Sequence, residues 1–264
     1  VARAYGAVIR SRVAAQTAYR GSFAFEVVGQ FAIGLVDFSE IYVVFHQVRA
    51  FGGFRFAEVA LMFGLATCAF TLGDIAVGHV ERLPDYVRSG QFDAMLLRPL
   101  PALGQLVTSD FSLRRLGRFA FALVVLAASV SRAHIHWTPA RVGLLAVTPV
   151  AGAVIFCAIF VATATVSFWL VEGTEFANAF TYGGNYLSSM PFTIFDRAVR
   201  SFFTFVVPAA FVGYLPALAL LGRDDPLGLP SWLSWSGPLV ALLAAAVAGL
   251  VWRTGLRHYV GAGS

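Results

Sequence analysis

The sequence predicts an all-α membrane protein, a polytopic bundle of six transmembrane helices. Three observations carry that prediction. The 264 residues are 58% hydrophobic and only 12% charged, whereas a soluble domain carries about 25% charged residues. Mean hydropathy is +0.76. Several apolar runs reach the ~20 residues that cross a bilayer as a helix. A soluble globular enzyme of this length would need surface charge that the chain does not have.

Residues 1–22 place Arg3, Arg10, Arg12 and Arg20 among alanines, valines and tyrosines, the pattern of an amphipathic helix lying on a membrane surface. The N-terminal residues Val1–Gly6 show no short apolar core followed by a small-residue cleavage site, so the first span is expected to direct insertion itself. That span runs from Phe23 to Phe45 and the second from Glu58 to Gly78. The longest polar stretch follows, His79 to Arg118, with Pro84, Pro99 and Pro101. A third span covers Phe119–Ser131, His134–Arg141 forms a hairpin loop, and a fourth span, Val142–Leu170, is long enough to tilt. Two stretches compete to be the fifth. Glu172–Phe195 is polar for a span, and Phe202–Leu221 is more apolar but broken by Pro208 and Pro216. The last span is Gly237–Trp252, before Arg253, Arg257 and a glycine-rich tail. The chain reads as one transmembrane domain over 1–264, with no soluble domain and no clear internal repeat.

All nineteen basic residues are arginine and the net charge is +5. A Walker A loop needs a lysine to reach the β- and γ-phosphates, so the chain cannot hydrolyse ATP by that route. The arginines are scattered between apolar runs and form no basic stripe, which argues against nucleic-acid binding. Six spans put both termini on one side, and the excess of arginine assigns that side to the cytoplasm. Arg49, Arg55, Arg132, Arg141, Arg197, Arg200 and Arg223 then fall outside and the other basic residues inside. Moving Arg197 and Arg200 inside would sharpen the asymmetry, which favours 202–221 as the fifth span.

Glu26, Gln30, Asp37 and Glu40 fall within about an 80° arc of the first span at 100° per residue. Asp37 lies near the middle of the apolar run, where an ionisable group costs ~2.5–3.5 kcal/mol and must face protein or water. Gln30, Asp37 and Glu40 are therefore candidates for the polar wall of a substrate path, attractive to cationic amphiphiles. The competing reading is interhelical hydrogen bonding. Gly64, Thr67, Thr71, Asp74 and Gly78 share one face of the second span and read as a packing seam, with Asp74 placed to pair with an arginine of the following loop. His134 and His136 beside Trp137 suit interfacial anchoring better than metal binding, and no metal site is expected. Cys68 and Cys157 lie inside apolar runs and make no disulfide framework. Asp224 and Asp225 before Pro226 read as turn formers. There is no Gly-x-Ser-x-Gly, His-Glu-x-x-His or Cys-x-x-Cys.

The loop His79–Arg118 holds the most specific signal. Pro84 suits a helix start and Gly90 a stop. A second short turn, Phe92–Leu97, is expected to expose Phe92, Met95 and Leu96 between Asp93 and Arg98, as an amphipathic piece that docks a soluble partner.

The run Arg88-Ser89-Gly90-Gln91-Phe92-Asp93-Ala94-Met95-Leu96-Leu97-Arg98-Pro99 resembles the cytoplasmic-loop signature of type-2 ABC exporter permeases, close to the form "I-R-x-G-x-L-D-x-x-L-L-x-P". Tyr19-Arg20-x-x-Phe23 and the ending Gly255-Leu256-Arg257-His258-Tyr259 are similar to motifs of the same subfamily, and Pro191, Pro208 and Pro216 fit its proline-punctuated region. Phe92 stands where that family has an aliphatic residue and Val260 where it has a polar one. The resemblance implies a bacterial cytoplasmic-membrane permease with six spans and both termini cytoplasmic. It implies two protomers per transporter, as a homodimer or with a related permease. A separate ABC ATPase pair would bind ATP and Mg and dock on the loop, with Pro84, Arg88, Gly90, Phe92, Asp93, Met95, Leu96, Arg98 and Pro99 as the coupling residues. It also implies a fifth span near 174–193, followed by an extracellular re-entrant region over 191–236. The rival readings are an ion-coupled secondary transporter working through Asp37 and a membrane-embedded enzyme acting on lipid. The first would often show inverted repeats; the second needs a cluster of carboxylates, histidines or arginines at one membrane face.

Overall fold

The described part of the computed structural model comprises residues 20–109, 112–169 and 173–259. Among the described residues the regular elements are all helices, apart from one isolated bridge between Phe51 and Phe54. The expected surface helix over residues 1–22 lies outside the described residues, except that Arg20–Ser22 form the first turn of the first long helix.

Helix α1 (Arg20–Gln47) and helix α2 (Phe56–Val77) are joined by a tight turn closed by the Phe51–Phe54 bridge. The backbone N–H of Arg55 donates to Glu58 Oε2 at 2.7 Å, which caps the start of α2. A 3-10 turn at Gly78–Arg82 leads into three short helices, α3 (Leu83–Arg88), α4 (Gln91–Leu96) and α5 (Ala102–Ser109). The long elements resume with α6 (Leu116–Arg132), α7 (Pro139–Thr165) and α8 (Gly173–Ser188). Then come α9 (Arg197–Phe205), α10 (Tyr214–Leu221) and α11 (Gly237–His258).

Among the described residues, four helices are long and apolar enough to cross a membrane: α1, α2 with its short continuation, α7 and α11. A fifth is reached if the α9–α10 segment, bent by 70°, counts as one span. Helices α6 and α8 have 17 and 16 residues, about 25 Å each at 1.5 Å per residue.

Helix α2 is the post of the bundle. Every residue from Val59 to Thr71 is buried, packed between α6 and α7. The expected seam is real. A Cβ at Gly64 would sit 2.9 Å from Leu126 Cα of α6, so glycine lets the two backbones close up. Gly117 does the same for α6 against α1, where a Cβ would collide with the Val27 carbonyl. Phe38 of α1 packs edge-on to Phe56 and Phe121.

The segment after α8 turns back. Thr193 donates to the Gly52 carbonyl at 2.6 Å, and Arg223 pairs with Glu58 at 2.9 Å and donates to the Gly53 carbonyl. Both ends of the α9–α10 segment therefore lie at the same end of the bundle, beside the α1–α2 turn. The arginine count favours 202–221 as the fifth span and the family resemblance favours 174–193; the 202–221 stretch is as apolar as a span, but its segment returns to the end of the bundle that it left. Residues Tyr214–Leu220 are wholly buried, which is how an apolar helix that does not span keeps its backbone away from lipid.

Candidate functional site

The loop between α2 and α6 is a folded cap under one end of the bundle. Pro84 sits in the first turn of α3, where its missing N–H costs nothing. Gly90 takes φ 71° between α3 and α4, a left-handed conformation that turns the chain into a helical hairpin. His79 Nε2 lies 3.0 Å from Tyr86 Oη, which donates to Ser109 Oγ at 3.2 Å, tying the start of the cap to α5. Gln105 donates through Nε2 to the carbonyls of Met95 and Leu100 at 2.8 and 2.9 Å, fixing the exit of α4.

The inner face of the hairpin differs from the expected one. Phe92 and Met95 are buried, Phe92 completely. The Phe92 ring meets Phe168 at 5.4 Å, Tyr259 at 5.2 Å and Trp252 at 6.3 Å. Tyr259 donates to Asp93 Oδ1 at 2.9 Å. A six-residue helix is too short for its sequence to fix which apolar residues face inward. Phe168, Trp252 and Tyr259 were not legible as members of this site; the tyrosine of the chain's ending was the one signal that pointed to it. Arg88, Arg98 and Pro99 are exposed, and Leu96 and Leu97 are 44% and 89% exposed. The outer face is thus an aliphatic tip flanked by two arginines. Its inner face is wedged against the ends of α7 and α11.

A second constellation lies between α1, α2, α6 and α8. Asp37 Oδ2 accepts from Arg118 Nη2 at 2.6 Å, and the Arg118 guanidinium lies 5.5 Å from the Phe70 ring centre. Deeper toward the cap, Asp74 pairs with Arg115 at 2.8 Å, as its position in the sequence anticipated. Tyr182 of α8 reaches Glu81 at 3.5 Å. A cavity of about 180 Å³ opens beside the Asp37–Arg118 pair, with Glu40, Tyr182, Asn185, Tyr186 and Ser189 among its walls. Two of the three expected path residues, Asp37 and Glu40, thus share one cavity; Gln30, half-buried two turns away, does not line it.

Among the described residues, no group of three or more histidine, cysteine or acidic side chains could hold a metal ion. His134 and His136 are exposed next to Trp137. Asp225 accepts from Tyr214 and from the Leu229 N–H, so it organises a turn.

Residues 31–263 match the family described as ABC-2 family transporter protein. The chain belongs to the ABC-2 transporter family. No curated protein matches it. Membership makes the chain a multi-pass membrane protein and a transport subunit of an ABC transporter, a class that is generally not catalytic and that associates with an ABC ATPase.

Proposed function

We propose that this chain is the permease subunit of an ATP-driven exporter of a lipophilic or amphiphilic substrate. The observation that carries the reading is the α3–α4 hairpin. A tip with Leu97 89% exposed is an unusual thing to hold in water, and it suits a groove on a soluble partner. Its buried side touches the ends of two long helices through Phe92, Phe168 and Trp252. A push on the tip would therefore move α7 and α11 as rigid rods, the kind of shift that alternates access. Leu96, Arg88, Arg98 and Pro99 form the contact surface in this reading. Pro84 and Gly90 shape the hairpin, and Phe92, Asp93 and Met95 transmit the force. ATP and Mg belong to the partner ATPase pair.

The topology follows from the same reading. Six spans, α1, α2, α6, α7, α8 and α11, place the cap and both termini in the cytoplasm of a bacterium, with α9 and α10 as the extracellular re-entrant region of 191–236. The return of the α9–α10 segment to the α1–α2 turn supports α8 as the fifth span. A second protomer completes the translocation path, with Gln30, Asp37 and Glu40 along it. The Arg118 pairing of Asp37 tells against an ion-coupled carrier, because that carboxylate is already neutralised.

The test is co-purification with the cognate ATPase. Leu97→Asp should leave the chain folded and reduce ATPase recovery by about tenfold or more, the loss of one buried anchor at an interface. Wild-type recovery and wild-type substrate-stimulated ATP hydrolysis in this variant would remove the hairpin from the coupling surface.

A further inference from the structure

The charged side chains that line the cavity between α1 and α8 are Asp37, Glu40 and Arg118. Arg118 neutralises Asp37 at 2.6 Å. Glu40, one turn further along α1 and on the same cavity wall, has no hydrogen bond or ion pair among the described residues. The charged groups of the lining thus leave one negative charge uncompensated. A carboxylate within a membrane helix is costly unless it meets protein, water or a ligand. The second observation is independent of charge. Asn185 of α8 is 9% exposed, and its side-chain carbonyl oxygen, buried in the cavity wall, has no hydrogen-bond donor. An unpaired buried acceptor is destabilising, and a donor-bearing ligand that reached it would relieve that cost. Ser189 donates to the Tyr186 carbonyl, and Tyr182 donates toward Glu81. Tyr182 and Tyr186, both partly exposed on that wall, add ring faces that attract cations.

We infer that Glu40 and Asn185 bind the ammonium head of an amphiphilic amine. Resting on the transport reading above, this makes N–H-bearing cationic amphiphiles the substrate class. The cavity volume of about 180 Å³ is below the ~300–1,000 Å³ of pockets that enclose drug-sized molecules, so it takes a head group and leaves the tail outside. The tail has a track. Val36 and Val43 flank Glu40 at i−4 and i+3 on the same helix face and are 64% and 59% exposed. Asp37 serves here by holding Arg118 away from Glu40, and Glu40 is the carboxylate that meets the ligand.

The test is calorimetric binding of three eight-carbon probes to the full chain in phosphatidylcholine nanodiscs, with empty discs subtracted. No ATPase is present, so the result is separate from the coupling test. Octylammonium should bind at least about tenfold tighter than octanol, the worth of one charge-assisted hydrogen bond. Glu40→Gln should erase that preference and Glu40→Asp should keep it. Asn185→Leu should weaken octylammonium and leave octyltrimethylammonium, which has no N–H, unchanged. Equal binding of octylammonium and octanol, or an undiminished preference in Glu40→Gln, overturns the inference.

Discussion

Helices α1 and α2 are neighbours of similar hydropathy, 1.5 and 1.8 over their most apolar stretches, yet 11% of that stretch is buried in α1 and 83% in α2. The difference teaches what hydropathy does and does not decide. It decides that both helices are apolar enough to cross a bilayer. It does not decide what they meet there, since lipid tails are as apolar as leucine. Small residues settle that for α2, where Gly64 admits the α6 backbone and Gly73 faces Phe156 of α7. Helix α1 has three glycines, and Gly34 alone is packed, where a Cβ would sit 2.7 Å from the Phe121 ring of α6; a Cβ at Gly21 or Gly29 would meet nothing within 4 Å. Its large side chains, Phe25, Val28, Leu35 and Val43, point outward. Helix α2 is scaffold; α1 is a surface that carries its polar residues to a cavity and to whatever stands beyond it.

The largest expected difference between the two helices lies in their carboxylates. Asp74 of α2 is buried against Arg115, whose side chain is 20% exposed. Asp74→Ala would leave that guanidinium only the main-chain carbonyl of residue 74, to which it also donates, and losing the charged partner of a buried pair costs up to about 3–5 kcal/mol. Glu40→Ala on α1 removes an exposed group with no partner among the described residues and should stay within about 0.5 kcal/mol of wild type. Unfolding in detergent micelles would measure both. Equal losses would mean that α1 is as much scaffold as α2.

A smaller contrast lies in the glycines. Gly64→Leu must push the α6 backbone away, at about 1–3 kcal/mol for overpacking. Gly29→Leu enters open space on α1 and should be neutral or slightly stabilising through helix propensity. Loss of assembly with the second protomer in Gly29→Leu, at unchanged stability of the single chain, would show what covers α1.

How much of this was legible follows the same line. Helices α1, α2, α7 and α11 announce themselves by length and apolar content, and α6 fell within three residues of its expected bounds. The course of 202–221 was not legible, because that stretch is as apolar as a span and counting arginines favoured it as the fifth, while the family resemblance favoured 174–193. What decides its course is Thr193 and Arg223 both binding the turn near Gly52 and Glu58, contacts more than a hundred residues apart in the chain. At the site, the need of Asp37 for a partner could be read from its depth, but Arg118 as that partner could not. The hairpin motif could be read, but the inward turn of Phe92 depends on Trp252 and Tyr259, at the far end of the sequence.

The smallest effect is the most pointed test of α2 as pure scaffold. Thr71 is 1% exposed, and its hydroxyl has no hydrogen-bond partner. A threonine in a helix ordinarily bonds back to the carbonyl one turn earlier, as Thr148 and Thr163 do on α7 at 2.7 and 2.8 Å. Thr71 does not, so its oxygen is desolvated without return. Valine has nearly the same shape and the same branching, and it removes the orphaned group. If α2 only holds the bundle together, Thr71→Val should stabilise the chain by about 1 kcal/mol, the lower part of the cost of an unsatisfied buried group. The midpoint of thermal unfolding in micelles should rise by about 2–4 °C, as expected for a chain of this size. Transport, measured with the ATPase present, should be unchanged. A stabilised variant that no longer transports would break the contrast from the other side. It would mean that the stripe from Thr67 to Asp74 keeps an unmet hydroxyl for a state in which α2 and its neighbours have moved, and that the post of the bundle takes part in the cycle.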